Sequence, residues 1–173
     1  ERELQDEQQV SSVVREIVAS VRSGGDASLL RYTNALDRRL ESSVADLEVL
    51  DFEEASLGLD KSLKQSLMTA ADRIKSYHEK QKMSSWEFKD DMGNSLGQRV
   101  IPIERVGVYV PGGKASYPSS VLMNVIPAKV AGVSEIIMVV PAPEGFIEDV
   151  VLAAAAIAGV DKVFTIGGAQ AIA

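Results

Sequence analysis

Apolar runs typical of strands alternate with helix-like segments through residues 105–173, and this alternation constrains the fold most. Three short runs rich in β-branched residues predict buried strands at 106–110, 135–140 and 162–166. A proline or a pair of glycines ends each run, and a helical pattern follows it. Because such alternation is typical of sheets whose neighbouring strands run parallel, we predict an α/β fold with a doubly wound parallel sheet.

The turn after the first predicted strand has the pattern of a ligand site. A proline and two glycines at 111–113 stop the strand, because proline has no N–H donor and glycine tolerates unusual backbone angles. Serines at 116, 119 and 120 are common helix N-caps, and Pro118 suits a first helical turn. The strand's carboxyl end and the helix's free N–H groups then face one crevice, where α/β proteins commonly bind ligands.

Residues 1–104 have a different pattern, which predicts helices and one hairpin. Apolar residues recur there at helical spacing, and turn-forming residues separate two short strand-like runs. The predicted elements are a helix at 3–23 ended by Gly24 and Gly25, a second helix after Asp26, an edge strand at 47–50, a helical turn at 52–56, a helix at 61–83 capped by Asp60, and hairpin strands at 86–88 and 98–103. We place a boundary near Glu104, between a helical and hairpin segment (1–104) and the α/β segment (105–173).

Composition excludes several functions. The net charge is −7 and no cluster of basic residues stands out, so neither nucleic acid nor an anionic membrane is an expected partner. No apolar run is long enough to span a membrane. The acidic first residues lack the basic and apolar parts of a signal peptide, and we expect a cytoplasmic protein. With one histidine, His78, and no cysteine, this chain cannot build a typical zinc site.

Four ordered motifs carry a resemblance to a known family. They are Val-Gly-Val-Tyr-Val-Pro-Gly-Gly at 106–113, Tyr-Pro-Ser-Ser-Val-Leu-Met at 117–123, Pro-Ala-Lys-Val-Ala-Gly-Val at 127–133 and Ile-Gly-Gly-Ala-Gln-Ala-Ile-Ala at 166–173. Together they resemble the histidinol dehydrogenases. The resemblance implies an aldehyde-dehydrogenase-like, Rossmann-like fold, with 105–173 as the first part of its NAD-binding domain.

The resemblance also implies an activity. Histidinol dehydrogenases oxidise L-histidinol to L-histidine by two successive hydride transfers to NAD, in the last steps of histidine biosynthesis. Zinc holds the substrate in this family, and a glutamate–histidine pair moves protons. We expect the zinc ligands and catalytic residues beyond Ala173, none of them in this chain, because the chain resembles the N-terminal part of a longer, homodimeric enzyme. The chain alone is expected to be inactive.

Two residues are the predicted NAD contacts, Tyr109 and Gln170. From the residues alone, Tyr109 has an ordinary explanation as a core tyrosine, and Gln170 as a solvent-facing or capping side chain. The resemblance assigns both to NAD, in a crevice between the turns at 110–116 and 167–170. The usual Gly-x-Gly-x-x-Gly fingerprint is absent, and no acidic residue ends the second predicted strand.

The remaining polar candidates have structural explanations. Arg105 and Lys114 are expected to be solvated, and His78 has no neighbours at metal-ligand spacing. Ser119 and Ser120 resemble caps more than nucleophiles. Two other functions stay open: a different oxidoreductase of the aldehyde-dehydrogenase-like group, and a non-catalytic binding or assembly module of the same fold.

Overall fold

The computed structural model describes residues 2–112 and 115–173. Within them the chain forms helices, strands and short 3-10 turns of a mixed α/β fold. The helices are α1 (Arg2–Asp37), α2 (Ala55–Gly58), α3 (Lys61–Glu79), α4 (Pro118–Ala131) and α5 (Asp149–Ala158). The strands are β1 (Trp86–Lys89), β2 (Ser95–Gln98), β3 (Arg105–Tyr109), β4 (Glu135–Val139) and β5 (Lys162–Phe164). None of the described helices is long and apolar enough to cross a membrane.

Strands β3, β4 and β5 form a parallel sheet in chain order, which confirms the predicted parallel, adjacent strands. Val108 pairs with Met138, and Met138 pairs with Val163. The third strand is shorter than predicted and ends at Phe164. It stops there because the Thr165 N–H turns to the Leu47 carbonyl at 2.7 Å.

One face of this sheet forms the core with α4 and α5, which also pack against each other. Four of its side chains are buried, and they pack with apolar residues of both helices: Val108, Ile136, Met138 and Val163. On the opposite face, Tyr109, Ile137 and Val139 are only half-buried. The described residues therefore show a parallel sheet with helices packed on one face.

The helices before the hairpin follow the predicted pattern with shifted ends. The predicted break falls at Gly25, whose φ of 55° and ψ of −139° interrupt α1. Asp60 caps α3 as predicted, since its carboxylate accepts hydrogen bonds from the N–H groups of Ser62 and Leu63. The helix ends at Glu79 rather than at 83, because Lys80 N–H bonds back three residues instead of four.

The predicted edge strand at 47–50 is not a regular strand. A 3-10 turn occupies Val44–Leu47, and one antiparallel bridge joins Glu48 to Phe164. The helical turn predicted at 52–56 is present, as a 3-10 turn at Phe52–Glu54 that runs into α2. This segment therefore still lies beside β5. Two backbone hydrogen bonds join them, one from Val49 N–H to the Val163 carbonyl and one from Thr165 N–H to the Leu47 carbonyl.

The hairpin prediction is correct for β1 and wrong for its partner. Strand β2 covers Ser95–Gln98, where the prediction placed 98–103. The Asp90 carboxylate accepts hydrogen bonds from Met92 N–H at 3.0 Å and Asn94 N–H at 2.8 Å, which closes the turn tightly. Pairing therefore resumes at Ser95, and the apolar residues after Gln98 lie outside the ladder.

Two expectations about helix ends in 105–173 also change. Tyr117 is the N-cap of α4 and makes no side-chain capping bond, so no serine caps this helix, although Pro118 starts it as predicted. The segment after Gly168 forms a 3-10 turn, Ala169–Ala171, rather than an α-helix. Gly159 ends α5 in the left-handed conformation expected of a glycine there.

Asp161, directly before β5, forms a hydrogen bond to β4 at the amino edge of the sheet. Its Oδ2 accepts hydrogen bonds from Ile136 N–H at 2.7 Å and from Lys129 Nζ at 2.9 Å. Partial burial raises the pKa of Asp161, but these hydrogen bonds outweigh it and hold that pKa below the ordinary 3.8. A lowered folded-state pKa means that the carboxylate stabilises the fold above pH 3.8, and that this contribution disappears as the pH falls below that value.

Asp161→Ala should lower the free energy of unfolding by about 1–3 kcal/mol at neutral pH, because it leaves the buried Ile136 N–H without an acceptor. Asp161→Asn keeps an acceptor oxygen and should cost less, and its difference from the wild type should shrink below pH 3.8. Urea titrations of both variants measure these effects, with the exposed Asp91→Ala as control. Equal unfolding curves for Asp161→Ala and Asp91→Ala would contradict the assignment.

Candidate cofactor crevice

The loops that follow β3, β4 and β5 meet at one edge of the sheet, because parallel strands share their carboxyl edge. The first loop carries Gly112, the second carries Pro141 and the third carries Gly167. A Cβ added to Gly112 would lie 2.5 Å from the Pro141 carbonyl oxygen, and one added to Gly167 would lie 2.6 Å from Pro141 Cβ. Both glycines are therefore needed for close packing of the three loops on Pro141.

Tyr109 links the first loop to the third. Its hydroxyl accepts a hydrogen bond from Gly168 N–H at 3.0 Å, across the end of β4. The structure thus brings the two predicted cofactor turns together through Tyr109 itself. The tyrosine side chain is half-buried, and its hydroxyl still has a proton to donate. Gly113 and Lys114, which belong to the same motif, lie outside the described residues.

Gln170 is buried, which rules out the solvent-facing explanation of this residue. Only 2% of it is exposed, and it lies in the 3-10 turn that packs against α1. Its Oε1 has no hydrogen-bond partner among the described residues. A buried amide oxygen without a partner costs about 1–3 kcal/mol, so the side chain is suited to accept a hydrogen bond from a bound molecule.

Tyr109 and Gln170 approach the same glycine. Gly168 donates its N–H to Tyr109, and its Cβ position lies 2.6 Å from Gln170 Oε1. Gly168 also has a φ of 61° and a ψ of −164°, a conformation essentially restricted to glycine. The two predicted contacts therefore flank one backbone position, and any larger residue there would displace Gln170.

A small cleft opens between the first and second loops. Its volume is about 140 Å³, and Pro111, Gly112, Ser116, Pro141, Phe146 and Glu148 line part of it. Sites that enclose a whole cofactor usually measure about 300–1,000 Å³. The cleft is therefore too small to enclose a whole cofactor, and neither Tyr109 nor Gln170 is among its described lining residues.

Comparison with known proteins reveals the family. A family model for histidinol dehydrogenase matches residues 1–173. This chain belongs to the histidinol dehydrogenase family. It is 56% identical over 167 residues to the histidinol dehydrogenase of Pseudomonas aeruginosa, which covers 95% of this chain and 38% of that protein. Identity to the Chromobacterium violaceum histidinol dehydrogenase is 56% over 166 residues, again covering 95% and 38%.

A solved structure supports the same family. The crystal structure of histidinol dehydrogenase from Elizabethkingia anophelis matches with a TM-score of 0.83 at 30% sequence identity. The match covers 94% of this chain and 38% of that chain. The chain therefore spans about two fifths of the length of these relatives.

The described residues do not fit the zinc site expected of this family. They contain no group of three or more histidine, cysteine, aspartate or glutamate side chains placed to hold a metal. His78 lies near the end of α3, where its Nδ1 contacts Gln81 Oε1 at 2.6 Å and its ring packs edge-on against Tyr77. Arg105 pairs with Glu135 at the amino edge of the sheet, away from the crevice. No step through zinc is assigned to this chain.

The structure adds Arg39, which the sequence did not indicate. Its side chain is 7% exposed and donates to Thr165, which is 126 positions away in the chain. Burial also raises the pKa of the neighbouring Asp37, although the Arg39 charge lowers it in part. No local pattern marks this contact, because adjacent arginines at 38 and 39 in a polar segment are typical of a solvated loop.

Proposed function

We propose that this chain is the N-terminal, NAD-facing part of a histidinol dehydrogenase, which oxidises L-histidinol to L-histidine through L-histidinal. One observation carries the proposal. At the carboxyl edge of the sheet, the Tyr109 hydroxyl and the buried Gln170 amide oxygen flank Gly168, and this oxygen has no hydrogen-bond partner within the described part of the chain. In open α/β sheets, ligands bind at this edge, and the family's redox reaction needs NAD held there.

Each of the two side chains has a definite binding role in this proposal. NAD, when bound, supplies the hydride acceptor. Gln170 Oε1 accepts a hydrogen bond from an N–H or O–H group of the cofactor, which removes the cost of leaving that atom unpaired. Tyr109 offers its ring for contact and its hydroxyl proton for donation, while Gly168 N–H keeps the hydroxyl in place. These contacts orient the cofactor along the sheet edge.

The proposal extends to the whole enzyme. The fold is Rossmann-like and aldehyde-dehydrogenase-like, with 1–104 as a helical and hairpin segment and 105–173 as the start of the NAD-binding domain. The half-buried sheet face at Tyr109, Ile137 and Val139 supports further layers in a doubly wound arrangement. Zinc ligands and proton-transfer residues lie beyond Ala173, and the full-length enzyme is a cytoplasmic homodimer that works in histidine biosynthesis.

Tyr109→Phe and Gln170→Ala test the cofactor assignment in the full-length enzyme. Each removes one proposed hydrogen bond to the cofactor, worth about 0.5–1.5 kcal/mol, so the apparent constant for NAD should rise up to roughly tenfold. Tyr109→Phe also removes the acceptor of Gly168 N–H. Zinc content and the KM for L-histidinol should stay unchanged. Steady-state kinetics with varied NAD measure the effect, and Tyr77→Phe, an exposed tyrosine on α3, is the matched control.

Three results would count against this function. NAD kinetics like those of Tyr77→Phe in both variants would remove the cofactor assignment and leave the fold intact. Oxidation of another amino alcohol or aldehyde in preference to L-histidinol would favour a different member of the aldehyde-dehydrogenase-like group. Absence of any NAD binding or turnover would favour a binding or assembly module.

A further inference from the structure

We propose that Arg39 is a positioning residue for the cofactor: it fixes the loop at 165–170, and with it Gln170. The inference rests on the proposed function, since it concerns the same crevice. Arg39 lies just after α1, so it belongs to the N-terminal segment rather than to the sheet. Through Arg39, the helical segment would then help to position the residues that bind the cofactor.

The guanidinium of Arg39 bridges two elements. Nη1 donates to the Thr165 carbonyl at 3.2 Å and to the Thr165 hydroxyl. Nε and Nη2 donate to Glu41 Oε1 at 3.0 and 2.6 Å. Because the side chain is buried, its charge needs these hydrogen-bond partners. The planar guanidinium has enough N–H donors to bind Thr165 and Glu41 at the same time.

Both partners of Arg39 are themselves held. The Thr165 N–H and hydroxyl donate to the Leu47 carbonyl at 2.7 and 2.9 Å. The Asn34 side chain forms two hydrogen bonds with the backbone of Glu41. It accepts one from Glu41 N–H at 3.1 Å and donates one to the Glu41 carbonyl at 2.9 Å. A continuous set of hydrogen bonds therefore runs from α1 to the start of the cofactor loop.

The loop at 165–170 is thus fixed at two points before Gln170. Arg39 holds Thr165, and Tyr109 holds Gly168, two residues before the glutamine. The Arg39 guanidinium also lies 4.0 Å from the Cβ position of Gly145, in the loop after β4. Losing Arg39 leaves Thr165 with its hydrogen bonds to the Leu47 carbonyl, which is a weaker anchor, and the Gln170 amide is then free to shift from its place at the sheet edge.

The full-length enzyme tests this with Arg39→Met and Arg39→Lys. We expect both to raise the apparent NAD constant by about five- to tenfold, with kcat at saturating NAD and the KM for L-histidinol within twofold of wild type. Lysine should not rescue, because its single ammonium cannot reproduce the bridge between Thr165 and Glu41. Arg38→Met is the matched control, since Arg38 is 78% exposed and, among the described residues, forms an ion pair with the exposed Glu144.

A second pair keeps the test decisive where Arg39→Met does not fold. Thr165→Val removes the hydroxyl at similar size, and with it the contacts to Arg39 and to the Leu47 carbonyl, so it should raise the NAD constant. Thr165→Ser keeps the hydroxyl and should leave the NAD constant close to that of the wild type. A lowered melting temperature with an unchanged NAD constant in these variants would overturn the positioning role. If Tyr109→Phe and Gln170→Ala change NAD kinetics in that case, the proposed function survives; if they do not, both proposals fail.

Discussion

Gly112→Ala should lower the free energy of unfolding of the full-length enzyme by about 1–3 kcal/mol and raise the apparent NAD constant more than tenfold. The added methyl would lie 2.5 Å from the Pro141 carbonyl oxygen and 3.0 Å from Val140 Cγ2. Backbone oxygen cannot rotate away as a side chain can, so the loops after β3 and β4 must separate. Urea unfolding and NAD-dependent kinetics on the same preparation measure both effects.

The matched control for this substitution is Gly58→Ala. Gly58 lies in α2, is exposed, and has no atom within 4 Å of its Cβ position. Alanine there should stabilise the helix slightly, by about 0.5–1 kcal/mol, and leave NAD use unchanged. If the two variants have the same free energy of unfolding and the same NAD kinetics, the three loops are not packed as described.

Residues 1–173 produced alone should give no NADH from L-histidinol and bind no stoichiometric zinc. The chain has one histidine and no cysteine, and its described residues contain no metal-ligand cluster. Under the proposed function, zinc and the proton-transfer pair lie in the rest of the enzyme, so the isolated chain should lack the groups that hold L-histidinol and move its protons. Metal analysis and NADH absorbance measure the two outcomes, with the full-length enzyme assayed alongside.

The control is the full-length enzyme under the same conditions. It should contain zinc and produce NADH from L-histidinol. Turnover of the isolated chain well above background would contradict the expectation. Stoichiometric zinc in the isolated chain would do the same, because the described residues contain no group of side chains placed to hold a metal.

The sheet was predictable because its signals are local. β-branched runs followed by proline or glycine predicted β3, β4 and β5, and the parallel pairing follows from the helices between them. The hairpin was harder, because its exposed strands carry no burial pattern. Apolar residues at 100–103 suggested a strand there, while the side-chain bonds of Asp90 decided the register.

The site was predictable only in part. The motifs predicted Tyr109 and Gln170 as cofactor contacts, which stays a prediction, and the structure places both beside Gly168. The burial of Gln170 depends on how α1 packs against the end of the chain, which no short pattern reveals. The contact of Arg39 with Thr165 joins two distant segments, and only the folded chain brings them together.

The stoichiometry of NADH production from L-histidinol tests the central proposal most directly. The full-length enzyme, given limiting L-histidinol and excess NAD, should form two NADH for each L-histidine, because the alcohol releases one hydride and the aldehyde, after water adds to it, releases a second. Absorbance measures NADH, and chromatography measures L-histidine in the same sample. One NADH per substrate with an aldehyde product, or no NADH that depends on L-histidinol, would contradict the proposed function.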